Sequence, residues 1–245
     1  IYRTGLEIED LVLAPLAAAE AVLSSKQKEL GVALINIGSS TTSLAVYEER
    51  TLIHTAILPI GSEHITADIA IGLRCPINLA ERIKKEYGNA NPANFSSKDE
   101  VDISVLVKEE EIHDDISVIS QKYVSEIIEA RVEEILEKVE HEFKKIDRAG
   151  MLPAGAVFVG GGSDLNGLID IAKKKLRLPA ARGEARNTKV IIDKVKQPEF
   201  LTALGLVIWG DNGEMTGNSN GFNLKSNFNS LFGKAKGFLQ KIMPK

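Results

Sequence analysis

Two turns built from small residues are the parts of this sequence best suited to binding a ligand. Residues 38–41 (Gly-Ser-Ser-Thr) follow the continuous apolar run 31–37, and residues 160–163 (Gly-Gly-Gly-Ser) follow the short apolar run 156–159. Small side chains let backbone N–H groups approach a phosphate, and a glycine-rich turn before a helix lets a nucleotide pack against the backbone. Each turn alone also fits a simple hairpin or close strand–helix packing.

The segments around these turns predict an α/β fold, because short apolar runs alternate with segments of helical spacing. The core sheet is expected to contain the strands at Leu11, Val32, Ser43, Leu52 and Val157. Strands are predicted at 11–13, 31–37, 43–47, 52–57, 101–107 and 156–159, and helices at 15–23, 62–73, 79–87, 120–146, 166–176 and 199–209.

The order of these segments predicts an inserted subdomain. The long amphipathic pattern over 120–146 and the polar stretch before it separate the two small-residue turns. We therefore expect one α/β subdomain made of residues 1–62 and 150–210, with an α+β subdomain at 63–149 inserted into it. Residues 211–227, rich in Asn, Gly and Ser, are expected to form a flexible linker.

Composition limits the classes of function. The 245-residue chain has a formal net charge of −4, which gives no basic field for nucleic acid. A single cysteine, Cys75, excludes a disulfide within the chain and fits a reducing compartment. No apolar run is long enough to span a bilayer. No side chain stands out as a catalytic group or as a metal ligand.

The last eighteen or so residues predict a membrane-binding helix. The sequence contains no Asp or Glu after Glu214. From 228 to 245 the apolar residues fall on one helical stripe, with lysines at its flanks and behind it. A basic amphipathic helix behind a linker is typical of an in-plane membrane anchor on anionic lipid, although a helix docked on its own domain is the alternative. The residues expected to meet the membrane are Phe228, Leu231, Phe232, Lys234, Lys236, Phe238, Leu239, Lys241, Ile242 and Met243.

These motifs together resemble those of a known superfamily. The stretch 34–43, which contains the first turn, is similar to the second phosphate motif of actin-like ATPases, and the stretch 157–163 is similar to their adenosine motif. Three further stretches, 13–23, 65–70 and 80–88, resemble the FtsA family of bacterial cell-division proteins within that superfamily. The resemblance covers essentially the whole chain and implies an actin-like (ribonuclease H-like) lobe.

The resemblance also implies a site for ATP with Mg²⁺, completed by an N-terminal lobe that this chain lacks. The first turn would contact the β/γ-phosphates, the helix at 79–87 the ribose and adenine, and the second turn the adenosine. The expected contact residues are Gly38, Ser39, Ser40, Thr41, Glu81, Lys84, Gly161, Gly162 and Ser163.

The first turn departs from the family pattern at three positions. The family usually has Asp at the position of Asn36 and glycines at those of Ser39 and Ser40. An amide binds a divalent cation less well than a carboxylate does, so slow hydrolysis at best is expected.

The partners implied by the resemblance are the C-terminal tail of FtsZ, anionic lipids and further copies of the protein in actin-like filaments. The resemblance also implies that the protein is located on the cytoplasmic side of the cell membrane, at the division site. The tail is expected on the subdomain 63–149, where Arg74, Arg82, Lys84 and Lys85 are either partners for its acidic groups or ordinary surface charges. A pilus-assembly adapter and a metabolite kinase of the same superfamily are the alternatives.

Overall fold

The structure, a computed structural model, describes residues 2–8, 10–111, 116–186 and 193–214. The predicted amphipathic helix at 228–245 and the predicted linker beyond residue 214 lie outside these described residues. The helices are α1 (Ala14–Val22), α2 (Ser25–Leu30), α3 (Ser62–Leu73), α4 (Ile77–Tyr87), α5 (Ser104–Glu109), α6 (Gln121–Lys145), α7 (Leu168–Leu176) and α8 (Leu201–Glu214). The strands are β1 (Val32–Ile37), β2 (Thr42–Glu48), β3 (Thr51–Leu58), β4 (Glu100–Asp102), β5 (Val118–Ser120), β6 (Ala156–Val159) and β7 (Ala180–Arg182).

A five-stranded sheet with the order β3-β2-β1-β6-β7 forms the centre of the described chain. β1 pairs antiparallel with β2 and parallel with β6, and β7 adds a second parallel pair. The strand expected at Leu11 is wrong. Leu11 is 84% exposed and precedes α1, which begins with a proline in its first turn. Three apolar residues directly before a helix fit both a short strand and the extended segment that leads into the helix. The fifth strand of the sheet is β7 instead.

Both faces of the sheet are covered, which explains the continuous apolar sequence of β1. Alternate side chains of a strand point to opposite faces. Ala33, Ile35 and Ile37 belong to a core shared with α3, α4, α6 and α7, while Val32 and Leu34 belong to a second core shared with α1. Strands buried on both sides lose the alternation of polar and apolar residues.

The region 63–149 contains α3 to α6 and the small antiparallel sheet β4–β5. The predicted long helix is confirmed as α6, whose apolar stripe is buried at Val124, Ile128 and Phe143. The strand expected at 101–107 is wrong beyond its start. Asp102 ends β4, because its side chain accepts a hydrogen bond of 2.8 Å from the Ser104 N–H, and this turn starts α5 instead.

The helix predicted at 199–209 extends further along the chain than expected. α8 continues to Glu214, so the first four residues of the predicted linker, 211–214, are helical. Close packing fixes its middle against α1, since a Cβ on Gly205 would lie 1.8 Å from the Ala17 carbonyl oxygen. Within the described residues, no helix is both long and apolar enough to cross a bilayer.

Candidate functional site

A cleft of 530 Å³ opens at the carboxyl ends of the parallel strands β1 and β6. Ligands of α/β sheets commonly bind at this edge, because the turns that leave neighbouring strands meet there. The cleft is lined by Asn36, Gly38, Ser39, Ser62, Ile65, Glu81, Lys84, Lys85, Gly88, Gly160, Gly161, Gly162, Asp164, Leu165, Asn166, Glu199 and Thr202. The two small-residue turns and the helix α4 therefore contribute to one cleft.

The first turn is tied to the start of α3. The Gly38 N–H donates to the Thr41 carbonyl at 2.9 Å, which closes the turn between β1 and β2. The Ser62 N–H donates to the Gly38 carbonyl, also at 2.9 Å. Gly38 and Ser39 line the cleft, whereas Ser40 and Thr41 are exposed at the tip of the turn and are not among its lining residues.

The second turn requires glycine at specific positions. Gly160 has a φ of 83°, and a Cβ there would lie 2.3 Å from Asn36 Oδ1. A Cβ on Gly162 would lie 2.4 Å from Ile37 Cγ2, whereas a Cβ on Gly161 would meet nothing within 4 Å. The backbone at Gly161 is thus open to a ligand.

Ser163 differs from its neighbours, because it does not line the cleft. Its side chain is fully buried, and its hydroxyl donates to the Gly160 carbonyl at 2.7 Å. This bond closes the turn that presents Gly161 and Gly162. Ser163 is therefore placed to shape the turn and not to touch a ligand directly.

A network of hydrogen bonds holds Glu81 and Lys84 on the wall of the cleft. Lys84 Nζ lies 2.6 Å from Glu81 Oε2, 2.7 Å from Thr66 Oγ1 and 3.2 Å from the Ser62 carbonyl oxygen. Burial raises the pKa of the Glu81 carboxyl, but hydrogen bonds from Lys84 and Thr66 outweigh it and hold that pKa below its ordinary value. Glu81 is therefore ionised at neutral pH, and the wall presents a paired anion and cation.

Asn36 is the penultimate residue of β1 and lines the cleft. Its Nδ2 donates a long hydrogen bond of 3.4 Å to Thr202 Oγ1 at the start of α8. Glu199 lies just before this helix and also lines the cleft. Sequence reasoning did not assign Glu199 or Thr202 to the site, and no local motif marks them. The fold alone brings the start of α8 to the cleft.

Asp164 and Asn166 were also missed, although a signal was present. They directly follow the glycine-rich turn, where the chain is still crossing the cleft edge. Asp164 pairs with Arg182 on β7 at 3.2 Å. The Asn166 carbonyl accepts a 2.7 Å bond from the Ala90 N–H, which joins the end of α4 to the second turn. Residues that continue a ligand-binding turn are natural candidates for its rim.

The sheet, the two turns and the helical block between them are arranged as in actin-like ATPases. The ADP-bound MreB5 of Spiroplasma citri matches with a TM-score of 0.68 and 16% identity, over 88% of this chain and 65% of that one. A structure of the PilM–PilN type IV pilus biogenesis complex matches with a TM-score of 0.59 and 18% identity, over 84% of this chain and 54% of that one. The described residues thus have the fold of an actin-like lobe, as the resemblance implied.

Comparison of sequences narrows this class. The family model described as cell division protein FtsA matches residues 33–205. The FtsA of Pseudomonas aeruginosa is 33% identical over 210 residues, 86% of this chain and 49% of that protein. The FtsA of Bacillus subtilis is 37% identical over 210 residues, 84% and 44%. The chain belongs to the FtsA family, and it spans about half the length of the curated relatives it matches.

Proposed function

We propose that this chain is part of a cell-division adapter that binds ATP and attaches FtsZ to the cytoplasmic side of the cell membrane at the division site. Membership of the FtsA family is the observation that carries the proposal. The basic amphipathic sequence at 228–245 supports it independently. Self-association into actin-like filaments is part of the same proposal and is supported by the fold.

ATP is the proposed ligand of the cleft. Gly38 and Ser39 lie where phosphates would meet the first turn, Glu81 and Lys84 offer polar groups to a ribose and base, and Gly161 leaves open backbone for an adenosine. Ser40 and Thr41 would serve through the shape of the first turn, and Ser163 through the shape of the second. A bound Mg²⁺ would supply charge neutralisation at the phosphates.

Slow turnover is part of this proposal. Asn36 takes the place where the family usually has a carboxylate, and an amide is a poor partner for a metal-bound water. The protein would then act chiefly through ATP binding. Hydrolysis by the full-length protein is expected to be slow at best, and phosphate release with Mg²⁺ measures it.

The FtsZ tail is proposed to bind at the corner between α3 and α4. Ile71 and Ile77 are 75% and 58% exposed there, and Arg74 is exposed between them. Arg74 forms no ion pair with any residue that the structure describes. A cation between two apolar side chains suits a peptide with one acidic and one apolar group. Lys84 does not suit this role, because it faces the cleft with a side chain only 11% exposed.

Recruitment of FtsZ to vesicles tests both the proposed membrane anchor and the proposed binding of FtsZ. Full-length protein, fluorescent FtsZ and vesicles with anionic lipid should sediment together, whereas FtsZ without the protein should stay in solution. Phe232→Glu places a charge on the apolar stripe and should release both proteins from vesicles. Asn229→Ala lies in the same segment, off that stripe, and should change little.

Arg74→Glu separates the partner site from the anchor. This variant should still sediment with vesicles but should recruit less FtsZ, because the charge that meets the acidic tail is reversed. Co-sedimentation of the Phe232→Glu variant at the parent level would overturn the proposed anchor. Failure of the parent to recruit FtsZ would overturn the proposed partner and would favour a pilus-type adapter of the same fold.

A further inference from the structure

Arg82 is surrounded by carboxylates of its own chain. It lies on α4, one turn before Glu86, and its guanidinium contacts Glu86 at 2.8 Å. The same guanidinium contacts Glu109 at 2.9 Å and Glu110 at 3.3 Å, at the end of α5. Three carboxylates of the same chain thus contact one guanidinium, so Arg82 is already paired before any partner binds.

These carboxylates lie next to the corner where the FtsZ tail is proposed to bind. Asn78 adjoins Ile77 in sequence and donates a hydrogen bond of 2.5 Å to Glu110. Arg82 lies five residues beyond Ile77 on α4, about 7.5 Å along the helix axis. Because Asn78 holds Glu110 beside the residue next to Ile77, the charge of Glu110 acts on a group that docks at the corner, over a range of about one Debye length at physiological salt.

The acidic end of α5 is held in place by the core. Leu106 and Val107 are buried in the same hydrophobic cluster as α4, which anchors the helix directly before Glu109. The carboxylates therefore remain close to Arg82 instead of dispersing in solvent, and an incoming acidic group meets them at a high local concentration.

We propose that Glu109 and Glu110 are a built-in competitor, which occupies Arg82 and which an acidic partner peptide must displace to bind fully. The inference rests on the proposed function, since it needs an acidic peptide at the corner between α3 and α4. It assigns two basic residues to successive steps. Arg74, which pairs with no residue that the structure describes, makes the first contact, and Arg82 becomes available when the side chains of Glu109 and Glu110 move away from it.

Binding of a labelled FtsZ tail peptide to the full-length protein tests the inference by fluorescence anisotropy. The double variant Glu109→Gln, Glu110→Gln should bind the peptide roughly three- to tenfold more tightly than the parent at low salt, because two repelling charges are removed and Arg82 keeps only Glu86 as an acidic partner. The gain should shrink at high salt. The matched control Glu29→Gln, Glu137→Gln removes two carboxylates that pair with Arg50 and Lys175 on other surfaces, and should bind like the parent.

A second substitution identifies Arg82 as the released group. Arg82→Gln should weaken binding strongly in the glutamine double variant but little in the parent, where the arginine is already occupied. Equal affinity of the parent and the glutamine double variant, at matched thermal stability, would overturn the competitor and leave the proposed function standing. Equal loss from Arg82→Gln in both backgrounds would also overturn it. Absence of peptide binding in every variant at low salt would overturn the proposed partner itself.

Discussion

Two adjacent glycines in the second turn should respond in opposite ways to one added methyl group. At Gly161 a Cβ would meet nothing within 4 Å, and its φ does not lie in the left-handed region. At Gly162 a Cβ would lie 2.4 Å from Ile37 Cγ2 and 3.1 Å from the Ile37 carbonyl oxygen. Gly161→Ala therefore probes the cleft and Gly162→Ala probes the core.

The expected changes in the free energy of unfolding follow from these distances. Gly162→Ala forces Ile37 to move within a buried core, an overpacking that costs about 1–3 kcal/mol. Gly161→Ala causes no clash and restricts the unfolded chain, so it should be neutral or stabilising by about 0.4–1 kcal/mol. Urea unfolding of the two variants beside the parent measures both values.

The substitution Gly161→Ala should also weaken the binding of ATP to the full-length protein. A ligand packed against Gly161 would meet the added methyl, and a clash of about 1–2 kcal/mol corresponds to a loss of affinity of roughly five- to thirtyfold. Titration calorimetry with ATP and Mg²⁺ measures it. Unchanged affinity in a Gly161→Ala variant of parent stability would refute the argument that the adenosine packs on this turn.

Three further predictions concern the packing of α8, the cleft wall and the turnover of ATP. Gly205→Ala should destabilise the chain by about 1–3 kcal/mol in urea unfolding, because its methyl would overlap the Ala17 carbonyl, whereas Gly210→Ala in the same helix has open space and should be neutral or stabilising. Glu81 has a pKa below its ordinary 4.5 in the folded protein. Its contribution to the stability of the fold is therefore fully present above that pH and is lost as pH falls through the folded pKa. The stability difference between parent and Glu81→Gln should therefore be larger at pH 7 than below pH 4.5, and a difference that grows on acidification would contradict the assigned hydrogen bonds. Asn36→Asp should raise Mg²⁺-dependent phosphate release by the full-length protein, and brisk release by the parent would show that the amide is no obstacle.

The central part of the fold could be predicted from the sequence, because its signals are local and strong. β1 is a continuous apolar run, α6 keeps helical spacing over 25 residues, and both small-residue turns directly follow strands. The strands that were wrongly predicted lie in short apolar runs, which fit either a strand or part of a helix. Leu11 precedes a helix, and Val105 lies in α5, not in a strand. Short apolar runs fit both a strand and a helix, and tertiary packing decides between them.

Some of the residues that line the cleft belong to motifs that the sequence shows, and others do not. Gly38, Glu81 and Gly161 carry motifs, and each lines the cleft. Thr202 carries none, because its place depends on α8 returning to the edge of β1 from 166 positions further along the chain. A linear pattern also does not show which member of a motif faces the ligand. Ser163 belongs to the second turn, yet its hydroxyl bonds inward to Gly160.

One helix joins the cleft to the proposed partner surface. α3 begins at Ser62, whose N–H bonds to the Gly38 carbonyl of the first turn, and it ends next to Arg74, twelve residues or about 18 Å further on. Lys84 adds a second tie between the start of α3 and α4, through the Ser62 carbonyl. A change near Ser62 would therefore disturb both sites at once. Arg74→Glu acts at the exposed far end of α3, which is why its effect on FtsZ recruitment can be read separately from ATP binding.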